Sequence, residues 1–191
     1  MKTLNQYIQE KLIINKDYHD GKIIVKSFDE LRKIIEDRYD KLGAGTKQNP
    51  IYFNDIDISN IYSFCNDEDE GIFAETKFKY IDISYWNVSN VESTSNMFYK
   101  CDKLESVGDL SNWNVSNVTD MYSMFYECKE LETVGDISKW NVSNVTNMSY
   151  MFWYCKSLNK DLSSWNVSKV LYKLDVFNHC PIKEEYKPKF K

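Results

Sequence analysis

The pentapeptide WNVSN occurs three times in this chain, at residues 86–90, 113–117 and 140–144, and the variant WNVSK begins at Trp165. Aligned on tryptophan, the copies are 27, 27 and 25 residues apart. Cysteine, phenylalanine and aspartate recur at the same intervals. The tryptophan column is Trp86, Trp113, Trp140 and Trp165, and the cysteine column is Cys101, Cys128, Cys155 and Cys180. A period of this length is typical of a repeat protein, whose units bury their apolar faces against one another.

Apolar residues recur about every third position within a repeat, as in the run Cys128, Leu131, Val134, Ile137 and Trp140. A strand alternates with a period of 2 and a helix with a period of 3.6, so neither element alone produces this pattern. The spacing indicates a coil that turns several corners and keeps one row of side chains on a shared axis. In each coil we predict a short strand, such as residues 131–138, then a polar turn, then a short helical segment, such as residues 145–155.

The stretches DLSNWNVSNVTDMYSMFYEC and DISKWNVSNVTNMSYMFWYC closely resemble the BspA-type leucine-rich repeat of bacterial surface proteins, over about residues 80–180. The resemblance implies an α/β solenoid, namely a short right-handed leucine-rich repeat with a parallel β-sheet. It also implies binding rather than an enzyme activity. A degenerate coil at residues 51–79, in which Ile58, Ile61 and Phe64 take the Val, Val and Met places, extends the predicted solenoid to residues 51–180.

Residues 1–50 do not repeat, and we predict that they form a small α/β cap, because the end of a solenoid exposes its core. A strand is predicted at residues 22–26, and a helix from Ser27 that ends at Gly43 and Gly45, with Ser27 and Glu30 as a capping box. An earlier helical face contains Leu4, Tyr7, Ile8 and Leu12. The competing interpretation of this segment is a separate docking or packaging element. Residues 181–191 are predicted to be a polar tail.

Charge and composition narrow the class of protein. The net charge of −5 argues against nucleic-acid binding, which needs clustered basic residues. No run of about 18 apolar residues is present, so no membrane insertion is predicted. The opening MKTLNQYIQEKLIIN lacks the features of a secretory signal and resembles the starts of proteins of phages that infect Bacteroidales-type bacteria. We therefore expect the protein in the cytoplasm of a host cell or in a virion.

Several columns invite a chemical interpretation, and each has a structural alternative. Stacked cysteines fit either a disulfide or a buried thiol row, and the thiol row is favoured because nothing indicates an oxidising compartment. The aspartate column (Asp82, Asp109, Asp136 and Asp161) fits either a cation site or bonds to nearby turn backbone, which we favour. His179 and Cys180 lack a third group to orient the histidine. We predict no catalytic, cofactor or metal site.

The candidate partner-binding residues lie outside the apolar row. They are the aromatic residues Tyr122, Tyr126, Tyr150, Trp153 and Tyr154, and on a rival face Glu105 and Glu132. Tyrosine and tryptophan are enriched at binding hot spots. The predicted function is a non-enzymatic protein–protein interaction module, such as a phage accessory factor that binds a host protein. The alternatives are a structural virion component and a BspA-type surface adhesin or antigen.

Overall fold

The computed structural model describes residues 18–19 and 21–190 of the 191-residue chain. These residues contain one α-helix, α1 (Phe28–Leu42), and two 3-10 segments, Ile137–Lys139 and Glu184–Tyr186. The strands are β1 (Tyr18–His19), β2 (Lys22–Ile24), β3 (Ile51–Tyr52), β4 (Ile56–Asp57) and β5 (Ile81–Asp82). The predicted helical face at Leu4 to Leu12 and the phage-like opening lie outside the described residues. Within the described part of the chain, no helix has the length and apolar character needed to cross a membrane.

The strands form two small sheets. In the first, β2 lies between β1, with which it is antiparallel, and β4, with which it is parallel. In the second, β3 pairs in parallel with β5. Beyond β5, successive repeats are joined by isolated parallel bridges at equivalent residues. One line of bridges runs through Ser63, Ser93, Asp120, Asn147 and Tyr172, and another through Tyr80, Ser106 and Thr133.

The predicted α/β solenoid with a parallel β-sheet and a helix in each coil is wrong. The one helix of the described residues precedes the repeats. Residues 131–138 hold a single bridge and part of a 3-10 segment, and residues 145–155 hold a bridge at Asn147 followed by turns at 149–154. An α-helix needs each amide to bond the carbonyl four residues earlier. Here alternate amides bond the next repeat instead: Tyr150 N donates to the Leu174 carbonyl at 2.8 Å, and Phe152 N to the Val176 carbonyl at 2.9 Å.

The remaining amides of this segment close tight turns. Met151 N donates to the Met148 carbonyl at 3.1 Å, and Cys155 N to the Phe152 carbonyl at 3.1 Å. The third residue of each turn, Tyr150 and Tyr154, has a positive φ of 61° and 57°. Left-handed backbone is compatible with a β-turn and incompatible with a right-handed helix. The chain therefore changes direction about every three residues, which confirms the prediction drawn from the period-3 pattern.

Equivalent side chains of successive repeats lie on one another. The rings of Phe98 and Phe125 are 5.2 Å apart and 8° from parallel, and those of Trp113 and Trp140 are 6.2 Å apart and 6° from parallel. The thiol of Cys128 donates to the Phe98 carbonyl at 3.0 Å, one repeat earlier. All of these side chains are buried. The core is therefore a set of columns, each built from one position of the repeat.

The segment before the repeats contains the predicted strand and helix. β2 occupies Lys22–Ile24, and Ser27 is the N-cap of α1, where its hydroxyl accepts from the Glu30 amide at 3.2 Å. The Glu30 carboxylate reaches back to the Lys26 amide at 2.8 Å, one residue before the position that a capping box uses. Gly43 ends the helix with a φ of +73°. Both predicted elements are confirmed.

Two arginines of α1 hold the helix against the first repeats. Arg38, which is 3% exposed, makes two bonds to the Asp55 carboxylate at 2.8 and 2.7 Å. Its guanidinium also lies 5.0 Å from the centre of the Phe53 ring. Arg32 donates to the Gly71 and Ile72 carbonyls at 3.0 and 2.9 Å. A bidentate guanidinium–carboxylate pair fixes orientation as well as distance, so the helix has a defined position on the repeats.

Candidate binding surface

A row of aromatic side chains crosses four successive repeats. The Tyr99 and Tyr126 rings are 4.9 Å apart and 19° from parallel, and those of Tyr126 and Trp153 are 4.6 Å apart and 12° from parallel. Tyr154 contacts Trp153 at 4.2 Å and His179 at 4.1 Å. We call these five residues the aromatic row. Each tyrosine or tryptophan is half-buried, and His179 is exposed.

The repeat pattern itself creates this row. Tyr99, Tyr126 and Trp153 each follow the buried phenylalanine of their repeat and occupy the same position in the 27-residue period. Stacked backbones lie about 4.8 Å apart, which is close to the separation of stacked rings. Equivalent aromatic residues are therefore placed face to face without any further adjustment of the backbone.

Tyr122 and Tyr150 extend the surface beside the row. Their rings meet edge to face at 6.0 Å, and Tyr150 meets Tyr126 edge to face at 6.3 Å. The structure thus brings together all five aromatic residues named from the sequence. It adds Tyr99 and His179, which the sequence analysis missed. Tyr99 was detectable, since it stands in the same column as Tyr126 and Trp153.

The rings of Tyr99, Tyr126 and Trp153 cover one another's faces, and all three residues remain partly exposed. Stacking of Tyr99 on Tyr126 and of Tyr126 on Trp153 leaves little face area for a nucleobase or a sugar to stack on. In the described part of the chain, the hydroxyls of Tyr122, Tyr150 and Tyr154 have no hydrogen-bonding partner. Such hydroxyls and ring edges suit contact with the polar and apolar groups of another protein.

Lysines flank both ends of the aromatic row. The Lys100 ammonium lies 4.9 Å from the Tyr99 ring centre, and the Lys156 ammonium lies 5.2 Å from that of Tyr154. A hydrogen bond with Tyr99 raises the pKa of Lys100, so this lysine stays charged at neutral pH. Burial raises the pKa of the Tyr126 hydroxyl above its ordinary value. The surface therefore offers cations and neutral hydroxyls side by side.

Glu105 and Glu132, the rival candidates, occupy another column. The Glu132 amide donates to the Glu105 carbonyl at 3.0 Å, so the two residues are stacked. The Glu105 carboxylate accepts from the Tyr80 hydroxyl, and this bond raises the pKa of Tyr80 to about 12. Glu132 is exposed, whereas Glu105 is half-buried and engaged within the fold. The two glutamates form no cluster with the five predicted aromatics in the contacts described.

The tryptophan column is part of the core. The four indole rings are 3–4% exposed. Each indole nitrogen donates to a carbonyl of the preceding repeat, as Trp113 does to Ile83 at 3.2 Å and Trp140 to Leu110 at 2.8 Å. The column is therefore packed within the core, and the four indole rings leave almost no surface for a partner.

The cysteine and aspartate columns are also structural. Cys101, Cys128 and Cys155 are buried free thiols, and burial raises the pKa of Cys101 to about 12. Asp109 accepts from the Ser111 amide at 3.0 Å, and hydrogen bonds from Ser111 lower the pKa of its carboxyl. Across the residues that the structure describes, no group of three potential metal-ligating side chains is assembled. The thiols are therefore packed in the core, and Asp109 bonds the backbone of its own turn, as the structural alternatives for these columns predict.

A polar groove of about 570 Å³ runs beside the repeats. Asn90, Asn117 and Asn144 line it in one column, together with Thr119 and Thr146. The Asn117 side-chain amide donates to the Ser89 carbonyl at 2.7 Å, and that of Asn144 donates to the Ser116 carbonyl at 2.8 Å. These asparagines therefore join neighbouring repeats. Their donors are engaged in the fold, so the groove is a weaker candidate than the aromatic row.

Comparison with known proteins places the repeats in a family. Residues 68–187 match the family described as Mycoplasma protein of unknown function, DUF285. The chain belongs to this family. The DUF285 match contains the entire aromatic row and begins after α1. No curated protein and no solved structure matches the chain.

Proposed function

We propose that this chain is a non-enzymatic protein-binding module whose contact surface is the aromatic row. The observation that carries the proposal is the stacking of Tyr99, Tyr126 and Trp153 on three successive repeats, with ring centres 4.9 and 4.6 Å apart. Tyrosine and tryptophan supply large contact area with few rotatable bonds, and they dominate the energetics of many protein interfaces.

The rigidity of the backbone under the row supports this proposal. The Phe125 amide donates to the Met151 carbonyl at 2.9 Å, and the Glu127 amide donates to the Trp153 carbonyl at 2.8 Å. These bonds bracket Tyr126 and tie it to the repeat that carries Trp153. Because the residues are ordered before binding, little conformational entropy opposes association.

The charge of the chain favours a protein over a nucleic acid as the partner. The net charge is −5, and nucleic-acid binding depends on a surface of clustered lysine and arginine. The covered ring faces also disfavour stacking with nucleobases, which single-strand binders use. A partner that offers carbonyls, amides and apolar side chains fits the ring edges and hydroxyls of the row better.

A finer proposal concerns the biological setting. The resemblance of the repeats to those of BspA-type proteins is consistent with a binding role, and the resemblance of the first residues to phage proteins favours an accessory factor that binds a host protein in the cytoplasm. The alternatives are a virion component and a surface adhesin or antigen. A fixed stoichiometric copy number in purified phage particles would favour the virion component over the accessory factor.

Affinity capture from a lysate of the native host tests the contact surface. The double variant Tyr126→Ser/Trp153→Ser should lose the proteins that the unaltered chain retains. Tyr85→Ser is the matched control, because Tyr85 is 76% exposed and lies outside the aromatic row. This control should retain the same proteins. Equal retention by a folded double variant would show that the row is not the contact surface.

A further inference from the structure

The last repeat exposes apolar side chains. Leu171, Tyr172 and Leu174 are 72%, 64% and 59% exposed. The equivalent positions of the preceding repeat hold Thr146, Asn147 and Ser149. Terminal units of repeat proteins normally carry a polar outer face. The last repeat is therefore less polar at these three positions than the repeat before it. A group of exposed apolar residues indicates an interaction site.

The backbone beside these residues presents unpaired donors. In the preceding repeat, the Tyr150, Phe152 and Tyr154 amides donate to the last repeat at 2.8, 2.9 and 3.0 Å. The equivalent amides of the last repeat belong to Asp175, Phe177 and His179, and no acceptor from the described residues bonds them. The carbonyls of Leu174, Val176 and Asn178 already accept from the preceding repeat. This edge consequently offers donors in a row.

The opposite end of the same segment is closed. There the Gly71, Ile72 and Ala74 carbonyls, which no earlier repeat bonds, accept from the guanidinium of Arg32 at 3.0, 2.9 and 3.4 Å. The 3-10 segment Glu184–Tyr186 covers a different part of the last repeat, where the Leu162 amide donates to the Tyr186 carbonyl at 2.8 Å. Phe190 also reaches the last repeat, with its ring centre 5.9 Å from the Lys173 ammonium. Among the described residues, the edge that carries the Asp175, Phe177 and His179 amides is thus the open end.

A second copy of this chain does not fit the open end. Two copies that met edge to edge would bring donors against donors. Head-to-tail stacking would need free carbonyls at Ile72 and Ala74, the equivalents of the acceptors Met97 and Tyr99, but Arg32 of α1 bonds both. The occupant must therefore supply acceptors from another chain, as an extended segment does when it adds to the edge of a sheet.

The local charge indicates the composition of this occupant. Residues 156–190 contain seven lysines and four acidic residues, a net charge of +3, whereas the whole chain has a net charge of −5. We propose that the open end binds an extended acidic segment of a partner protein. Its carbonyls accept from the Asp175, Phe177 and His179 amides, and its apolar side chains pack on Leu171, Tyr172 and Leu174. This inference deepens the proposed protein-binding function and rests on it.

Titration of the full ¹⁵N-labelled chain with peptides tests the inference. The probe is a short blocked peptide of alternating glutamate and valine, and the control is the lysine–valine peptide of equal length. The acidic peptide should shift the Asp175, Phe177 and His179 amide resonances and slow their exchange, with no such effect of the basic peptide. Absence of these shifts up to about 1 mM peptide, or equal shifts with both peptides, would overturn the proposal. Shifts that depend on protein concentration alone would overturn it in favour of a second copy.

A variant drawn from the chain itself separates docking from folding. Leu171→Thr/Tyr172→Asn/Leu174→Ser installs the residues that the preceding repeat carries at these positions, so it should fold. It should bind the acidic peptide at least about tenfold more weakly, because the apolar contact area is lost. Unchanged affinity would contradict the proposed contact. The double variant Tyr126→Ser/Trp153→Ser should still bind the acidic peptide. The proposal for the aromatic row and the proposal for the open end can therefore be rejected independently of each other.

Discussion

At the scale of the residue, each tryptophan joins two repeats by packing and by a hydrogen bond. Trp140 is 4% exposed, lies 6.2 and 6.3 Å from its neighbours in the column, and donates to the Leu110 carbonyl at 2.8 Å. Trp140→Ala should lower the free energy of unfolding by about 3–5 kcal/mol, measured by urea denaturation. Glu130→Ala, at an exposed position nearby, is the control and should change it by less than about 0.5 kcal/mol. An equally small effect of the two substitutions would contradict the buried position of Trp140 in the column.

Gly135 lies against the carboxylate of Asp109 in the preceding repeat, and no side chain would fit there. A Cβ atom here would lie 1.9 Å from Asp109 Oδ1, and the backbone φ is +78°. Gly43 has a similar φ of +73°, but its Cβ would meet nothing within 4 Å. Gly43 has a ψ of −154°, a conformation that essentially only glycine adopts, so Gly43→Ala measures the cost of this backbone conformation without a side-chain collision, about 1–3 kcal/mol. Gly135→Ala should cost clearly more in the same denaturation experiment, and equal costs would show that Asp109 moves aside freely.

At the scale of the element, α1 closes the row of carbonyls that no earlier repeat can bond. Arg32→Met keeps the apolar stem and removes the donors to Gly71, Ile72 and Ala74. Because Arg32 is partly exposed, water replaces some of these bonds, and we expect a loss of about 1–2 kcal/mol in the free energy of unfolding. Lys33→Met removes a charge from the exposed adjacent position and is the matched control. Equal stability of the two variants would mean that Arg32 has no closing role.

Elements were predicted well where the signal was local. Ser27, Glu30 and Gly43 set the limits of α1 through contacts within a few residues, and the sequence contains those contacts. The helix expected at residues 145–155 was wrong because Tyr150 and Tyr154 adopt a positive φ. Their amides bond carbonyls about 24 residues away, and no local propensity reveals such a bond. Non-glycine residues in left-handed backbone are uncommon, so the turns could not be predicted from composition.

At the scale of the whole molecule, the repeat period was sufficient to predict the columns of stacked side chains. It was sufficient to predict only part of the candidate binding surfaces. A 27-residue spacing was enough to place Trp113 on Trp140 and Phe98 on Phe125. It was also enough to place Tyr126 on Trp153, whereas the contacts of Tyr122, Tyr150 and Tyr154 join different positions of the repeat and required the structure. The open end was not predictable in this way. The Asp175, Phe177 and His179 amides have no acceptor among the described residues, and the repeat period does not show this, because it gives equivalent amides an acceptor in every inner repeat.

The central claim is that successive repeats lie in register and exchange backbone hydrogen bonds at alternate residues. Amide hydrogen exchange of three equivalent phenylalanines tests it most directly, because the residue type is constant. The Phe125 and Phe152 amides each donate to the next repeat at 2.9 Å, and the Phe177 amide has no such partner among the described residues. The account predicts exchange at least about a hundredfold slower for Phe125 and Phe152 than for Phe177. Equal rates for all three amides would contradict it.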